Sequence, residues 1–247
     1  MKVHILTLFP AMFDGPFSES MIKRAQEKGL LQISLVNIRD FAHDKHQVTD
    51  DYAYGGGAGM VMKPEPVFEA VESITGPSLK NAGIPIVLTT PQGQRLDQPL
   101  VRTLAANSEV IIICGHYEGM DDRIRESLAT HEISIGDYIL TGGELPAMVL
   151  TDAIVRLQQG VLGSEQSLLQ DSFNDGLLQY PQFTRPPEYK GMKVPDILVS
   201  GNHAQIDKWK RQQSLLRTAR NRPDMLSKAN LTKEDRAFLK AQGVNPG

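Results

Sequence analysis

Three largely apolar, non-alternating runs limit the folds that this chain can adopt. They span residues 3–9, 84–90 and 109–114, and segments with helical periodicity lie between them. Strands that are apolar along their whole length are typical of parallel sheets with helices on both faces, because both sides of each strand are then buried. The sequence therefore predicts an α/β fold built on a mostly parallel sheet.

The remaining apolar patterns supply the other elements of this fold. Further strands are predicted at residues 31–38 and 132–135. In the last quarter of the chain a helix is predicted to open near Asn202, and residues 232–235 could cap a last short helix before Gly243. Between the strands, helical spacing predicts helices at residues 17–28, 66–74, 98–106, 122–128 and 144–159.

Glycine- and proline-bearing loops follow three of the predicted strands. They begin at Pro91, at Gly115 and at Gly136, and the last continues to Pro146. Glycine lets a backbone turn at positive φ and approach a ligand closely. The stretch 134–146 taken alone fits a plain strand-to-helix turn as well as a ligand loop. Parallel strands end at the same edge of a sheet, however, so the three loops together favour one ligand pocket.

The glycine-rich segments do not match a nucleotide-binding motif. Neither residues 55–59 nor residues 134–146 are followed by the Lys-Ser/Thr pair of a Walker loop. The backbone of residues 55–59 could cradle a phosphate or serve as a hinge, and the sequence leaves both open.

Two residue clusters could have a chemical role, but each also has a simpler structural interpretation. Cys114 and His116 are two apart at a strand end, which fits a cysteine nucleophile, but a lone cysteine that ends an apolar strand is more often a packed residue. His43 and His46 have metal-ligand spacing without a matching cysteine or acid pattern, so a polar or RNA-facing loop is the preferred interpretation.

The charge of the chain is unevenly distributed. Residues 185–247 contain 13 Lys and Arg against 6 Asp and Glu, whereas the rest of the chain contains 13 against 23. A basic module on an acidic body indicates an anionic partner, with nucleic acid as first choice.

We predict a ligand-binding domain at 1–160, a linker at 161–187 that is poor in periodicity and rich in glycine, serine and proline, and a helical domain at 188–247.

The order of motifs resembles the bacterial tRNA (guanine-N1)-methyltransferase family of SPOUT methyltransferases. The resemblance extends from residue 1 to about residue 226. The matching motifs are LFPAMF at 8–13, RDF at 39–41, YGGGAGM at 54–60, PQG at 91–93, CGHYEG at 114–119, SIGDYILTGGELP at 134–146, GVLG at 160–163, DSF at 171–173, TRP at 184–186 and LVSGNHA at 198–204. Ala53 and His116 are mild departures, since many relatives carry proline and some carry arginine there.

The resemblance implies a fold and a methyl donor. The fold is a SPOUT-type parallel sheet with a deep trefoil knot, followed by a small all-helical C-terminal domain. The donor is S-adenosyl-L-methionine. The positions that match the donor site of the family are Leu88, Thr89, Pro91, Gly115, Tyr117, Glu118, Ser134, Ile135, Gly136, Asp137, Tyr138, Ile139, Leu140, Gly142, Gly143 and Pro146.

The resemblance also implies a reaction, which is methylation of N1 of guanosine 37 beside the tRNA anticodon. Asp171 matches the proposed general base, and Arg156 matches the residue thought to stabilise negative charge on the guanine O6. Magnesium is associated with the family, with Glu118 as a nearby acid, although the sequence has no metal motif. The family works as a homodimer, in which the linker of one subunit completes the site of the other and can become ordered over the tRNA.

The sequence also bears on the location of the protein and on alternative functions. A single cysteine, an N-terminal apolar run too short for a signal peptide, and the lack of a long apolar segment predict a cytoplasmic protein that does not enter membranes. A non-catalytic RNA-binding protein on the same scaffold would have lost Asp171, Arg156 or the glycine loops. A nucleotide hydrolase or kinase would carry a lysine after residues 55–59, where Met60 and Val61 stand instead.

Overall fold

The computed structural model of the protein describes residues 1–77, 83–163 and 170–245. Contacts divide the chain into two compact units, Met1–Gly163 and Ser164–Gly247. The strands of the first unit are β1 Lys2–Thr7, β2 Gln32–Asn37, β3 Asp50–Tyr52, β4 Met60–Met62, β5 Ile86–Arg95, β6 Glu109–Cys114 and β7 His131–Ser134. Its α-helices are α1 Asp14–Phe17, α2 Ser20–Glu27, α3 Pro64–Thr75, α4 Gln98–Ala105, α5 Asp122–Ser127 and α6 Glu144–Val155, and 3-10 helices span Pro10–Phe13 and Ile38–Phe41.

The predicted parallel sheet is confirmed. Its order is β2-β1-β6-β5-β7, and every neighbouring pair is parallel. Strand β6 shows why the apolar runs are continuous, because Val110, Ile112 and Cys114 pack into one core cluster and Ile111 and Ile113 into another. Each strand face is thus buried under its own layer, as expected for a two-sided parallel sheet.

Strand β5 differs from the prediction that it ends near Thr90 in a turn. It pairs with β7 on both sides of an irregularity, because both Thr89 and Gln94 lie opposite Ile133. Residues 90–93 form an excursion, after which the chain rejoins the same strand. At the end of this excursion a Cβ on Gly93 would collide with the Glu132 backbone. Strand β5 can therefore pair with β7 again only because residue 93 has no side chain.

The long helix that follows the glycine loop is shorter than predicted. Helix α6 ends at Val155 instead of Gln159, and Arg156 is its C-cap residue. The helix carries core residues such as Ala147, Leu150 and Ile154 at helical spacing, so one side is packed against the sheet.

The second unit combines helices with a hairpin. Its helices are α7 Asp196–Val199, α8 His203–Asn221, α9 Pro223–Leu226 and α10 Lys233–Ala241, and strands β8 Glu188–Tyr189 and β9 Met192–Lys193 pair antiparallel. The expectation of an all-helical domain is therefore wrong in this detail. Residues 164–169 of the predicted linker lie outside the described residues. Leu177, within the predicted linker, is buried with Leu215, Leu226 and Leu239 in the core of this unit.

Side-chain caps begin the two longer helices of the second unit. Asn202 caps α8 through a bond from the Gln205 amide, as predicted. Thr232 and Asp235 form a reciprocal capping box at the start of α10, also as predicted. Among the described residues, no helix is both long and apolar enough to cross a membrane.

The buried carboxyl of Asp235 makes the stability of the second unit depend on pH. Burial alone would raise its pKa, but hydrogen bonds from Arg211 and the Thr232 amide lower the pKa below its ordinary value of 3.8. A carboxyl with a lowered folded-state pKa contributes stability above its unfolded pKa and loses it as the pH falls through the folded value.

We therefore expect the stability advantage of wild type over Asp235→Asn to shrink as the pH falls from about 5 to about 2. Thermal unfolding of the two proteins across this range measures the difference. Parallel curves over the whole range would contradict the assigned role of the carboxylate.

Candidate active site

A cavity of about 460 Å³ lies at the carboxyl ends of the neighbouring strands β6, β5 and β7. The three loops singled out in the sequence meet there, as the shared strand edge predicts. Of the sixteen positions that match the donor site of the family, fifteen line this cavity, and Asp137 is the exception. The cavity also takes in residues that the sequence had not assigned, namely Thr90, Gln92, His116, Gly119, Met120, Asp122, Arg125, Ile133 and Thr141.

The glycines of the loop 134–146 allow its backbone to pack directly against the ends of β5 and β6. A Cβ on Gly143 would overlap the Thr89 hydroxyl and lie 2.7 Å from the Gly115 nitrogen and 2.8 Å from the Cys114 Cα. The Gly143 amide donates to the Gly115 carbonyl at 2.7 Å, which ties the loop to the end of β6. The expectation that these glycines provide positive φ holds only for Gly136, because Gly142 and Gly143 lack it.

His116 lies at the cavity wall between two aromatic rings. Its ring centroid is 4.9 Å from that of Phe9 and 5.0 Å from that of Tyr117. Its Nδ1 is buried without a hydrogen-bond partner among the described residues, and a Cβ on Gly142 would lie 2.6 Å from it. His116 also forms an antiparallel bridge with Gly142. The signal for it in the sequence was its place directly after Gly115, in a strand-end loop.

The ionic groups of the cavity wall are two acids and one base. Arg125 donates two hydrogen bonds to Asp122, at 2.6 and 2.9 Å, and these bonds are the main cause that lowers the pKa of Asp122. Glu118 is the second acid. With Arg125 committed to Asp122, the balance of the wall is acidic, which suits a ligand that carries positive charge.

Cys114 is a core residue. It is completely buried, and burial together with the nearby Glu144 carboxylate raises the pKa of its thiol well above the ordinary value. Such a thiol is a poor nucleophile, so the preferred interpretation of a packed residue is confirmed. Glu144 itself is buried and accepts a 2.8 Å hydrogen bond from the Thr7 hydroxyl.

The glycine run 55–59 leads directly to the cavity wall. Strand β4 follows it, and the Glu118 amide donates to the Met60 carbonyl while the Met62 amide donates to the Gly119 carbonyl. A Cβ on Gly59 would collide with the Glu118 side chain. The run is thus packed beside the loop that carries Glu118.

The histidines of the preceding loop show no metal geometry. The His43 Nε2 lies 2.8 Å from a Glu69 oxygen, in an exposed pair. Across the described ranges, no group of three His, Cys, Asp or Glu side chains is arranged to hold a metal ion. The weak zinc signal of His43 and His46 therefore gains no support.

The two positions that match the catalytic residues of the family belong to different units. Arg156, half-buried, follows α6 in the first unit. Asp171, also half-buried, lies in the second unit, at the start of a turn in which the Asn174 amide faces the Asp171 carbonyl at 3.4 Å.

Comparison with known proteins identifies the family. Residues 1–228 match the family described as tRNA (Guanine-1)-methyltransferase TrmD. The chain belongs to this family. It is 57% identical over 240 residues to the tRNA (guanine-N(1)-)-methyltransferase of Pelotomaculum thermopropionicum, covering 97% of this chain and 95% of that protein. Proteins of the same description from Geobacillus kaustophilus and Staphylococcus epidermidis are 56% and 53% identical, over 97% of this chain and 97% and 96% of their own lengths.

Proposed function

We propose that this chain transfers a methyl group from S-adenosyl-L-methionine to N1 of guanosine 37, next to the tRNA anticodon. Its relatives are named tRNA (guanine-N1)-methyltransferases and match it along almost the whole chain, so the chain is a tRNA methyltransferase of this family. The observation that carries the finer proposal is the convergence of three strand-end loops on one cavity.

The cavity has properties that suit the proposed donor. Its volume of about 460 Å³ falls within the usual range for small-molecule sites. With Asp122 paired to Arg125, the remaining charge of Glu118 favours a cationic ligand, while backbone groups of Gly115 and residues 134–143 can hold an adenosine. When bound, the donor supplies an electrophilic methyl group on a sulfonium, and the electron pair of the broken C–S bond stays on sulfur.

The proposed chemistry assigns one step to each of two side chains. Guanine N1 carries a proton at neutral pH, and it can form the new N–C bond only as that proton leaves. We assign its removal to the Asp171 carboxylate, which ends the reaction protonated. The Arg156 guanidinium stabilises negative charge that develops on O6 as N1 loses its proton.

The knot is part of the same proposal. The chain that leaves β7 returns between the ends of β5 and β6, where Gly143 packs against Thr89 and Cys114. A segment packed so tightly among strands that precede it in sequence is what a knotted SPOUT domain requires. We therefore assign the trefoil knot of the family to this sheet.

Exposed apolar side chains support the proposed homodimer. Leu145 and Val149 lie four residues apart on one face of α6 and are 50% and 47% exposed. The helix packs against the 3-10 helix Pro10–Phe13, where Phe9 and Met12 are also exposed. Exposed apolar side chains on two elements that pack together are typical of a protein interface.

The charge of the second unit suits the proposed tRNA substrate. The basic balance of residues 185–247 fits phosphate contacts with tRNA, whose contribution should fall as salt rises. The described residues offer no cluster of three ligand side chains for a metal, so the proposed mechanism assigns no step to magnesium.

A tRNA substrate and a reduced, buried cysteine are consistent with the cytoplasm.

Transfer of labelled methyl to two tRNA transcripts tests the function. We expect label on the transcript with guanosine 37, recovered as 1-methylguanosine after nuclease digestion, and none on a transcript with adenosine 37. Label on both would contradict the assigned base. Absence of label on both, with donor binding intact, would favour the non-catalytic RNA-binding alternative.

A further inference from the structure

The segment that carries Asp171 is folded onto the second unit. Within it, the Phe173 amide donates to the Leu177 carbonyl at 2.8 Å, and the Gln179 amide donates to the Ser172 hydroxyl at 2.9 Å. The Leu178 amide reaches helix α8, where it donates to the Thr218 hydroxyl at 2.9 Å. These bonds close residues 171–179 into a compact turn, which we call the Asp171 turn.

A single guanidinium joins the Asp171 turn to two other segments. Arg211, on α8, donates from Nη1 to Asp175 at 2.5 Å, and from Nη2 to Asp235 at 2.8 Å and to the Asn230 carbonyl at 3.2 Å. Asp235 belongs to the capping box of α10, so Arg211 connects the turn to the framework of the unit. A planar guanidinium suits this role because its donors point in fixed, separate directions.

The two carboxylates bound by Arg211 differ in their surroundings. The side chain of Asp235 is 7% exposed, whereas that of Asp175 is 51% exposed. The bond to Asp235 is therefore part of the packed interior. The bond to Asp175 is at the surface, where an ion pair contributes little to folding stability.

Packing and a second polar contact act on the same turn. Gly176 lies so close to Ala229 that an added Cβ would be 3.1 Å from the Ala229 Cα. On the other side of Asp171, the Tyr180 hydroxyl donates to the Gln170 side chain at 2.7 Å. The peptide is thus held both before and after Asp171.

We propose that the Asp175–Arg211 ion pair positions Asp171 for proton removal before tRNA binds. The inference rests on the proposed function, because it assumes that Asp171 is the general base. A base must come within about 2.6–3.2 Å of the proton it removes. A displacement of about 1 Å can reduce the rate about 100-fold, so a surface contact that adds little stability can still matter for turnover. Asp175 and Arg211 are positioning residues.

Asp175→Asn is the variant that isolates this contact. The Asp175 Oδ1 accepts the Leu177 amide at 3.2 Å, and the asparagine carbonyl can keep that bond. The substitution places an amide NH₂ where Oδ2 faced Arg211, so two donors oppose each other. The bond between Arg211 and Asp235 is left in place.

Asp235→Asn and Asp224→Asn are the matched comparisons. Asp235→Asn removes the interior bond of the same arginine. Asp224→Asn removes the same charge from another exposed ion pair of the second unit, the one that Asp224 forms with Arg222 at 2.7 Å. Asp175→Glu, which restores a carboxylate, tests rescue.

The experiment measures kcat and KM for tRNA, donor affinity and melting temperature in wild type and these variants. We expect Asp175→Asn to lower kcat by about 10- to 100-fold, with donor affinity unchanged and a melting temperature close to that of wild type. Asp235→Asn should lower the melting temperature more and kcat less, Asp224→Asn should match wild type, and Asp175→Glu should recover part of the lost kcat.

The possible failures can be told apart. If Asp175→Asn keeps the kcat of wild type while Asp171→Asn is inactive, the positioning role is wrong and the general base stands. If kcat falls only in proportion to the melting temperature across the variants, the ion pair is merely structural. If wild type methylates neither guanosine nor any other base, the proposed function itself fails.

Discussion

Asp171→Asn should nearly abolish methyl transfer while it leaves donor binding intact. A general base contributes about 10²- to 10⁴-fold to a rate, and we expect kcat to fall within that range. Asparagine has nearly the shape of aspartate but cannot take the proton of guanine N1. The donor cavity lies in the first unit and Asp171 in the second, so the substitution leaves the cavity lining unchanged.

Single-turnover transfer to the guanosine 37 transcript measures the effect, and calorimetry with the donor provides the control. Methyl transfer at a near wild-type rate would exclude Asp171 as the base. Loss of donor affinity would indicate that the substitution disturbs more than proton removal.

The sheet could be predicted from the sequence because its signal is local. Each residue of Val110 to Cys114 is apolar, and a run of that length has few ways to be buried other than in a two-sided parallel sheet. The meeting of three loops at one edge then follows from strand polarity alone. Helix caps at Asn202 and Thr232 are equally local, since each depends on residues within three positions.

Contacts between distant segments could not be predicted in the same way. The two glycines at 142 and 143 fit a strand-to-helix turn or a ligand loop in the sequence, whereas their Cβ positions would be occupied by the distant residues Thr89 and His116. The return of β5 after residues 90–93 likewise depends on Ile133, forty residues away. The sequence marks these glycines as special, but the reason lies in groups that only the folded chain brings together.

The predicted linker shows a different limit of sequence patterns. Residues 170–180 lack periodicity and read as a loose connection, yet Leu177 is buried and Arg211 fixes the turn that carries Asp171. Their order comes from hydrogen bonds to Thr218 and Arg211 of α8, which leave no regular pattern in the sequence. A catalytic residue on such a segment can therefore be well positioned, even though nothing nearby predicts a helix or strand.

Gly143→Ala should eliminate donor binding, or weaken it about 100-fold or more, which corresponds to about 2.7 kcal/mol or more of binding free energy. The cause is steric, because the φ of Gly143 is −84° and suits any residue. The added methyl group would overlap the Thr89 hydroxyl, and the backbone of Cys114 and Gly115 cannot move aside without opening the sheet. The loop must therefore shift, and the cavity wall formed by residues 138–143 shifts with it.

Donor calorimetry and thermal unfolding of Gly143→Ala, with Gly15→Ala as the control, measure this effect. Gly15 has no atom within 4 Å of an added Cβ and lies in α1, so its substitution should leave both donor affinity and melting temperature near wild type. If Gly143→Ala fails to fold, Thr89→Ala in the same background removes the hydroxyl that the added methyl group would overlap and should recover part of the fold. Unchanged donor affinity in a folded Gly143→Ala protein would contradict the tight return of this loop, because an intact cavity wall cannot coexist with a methyl group at that position.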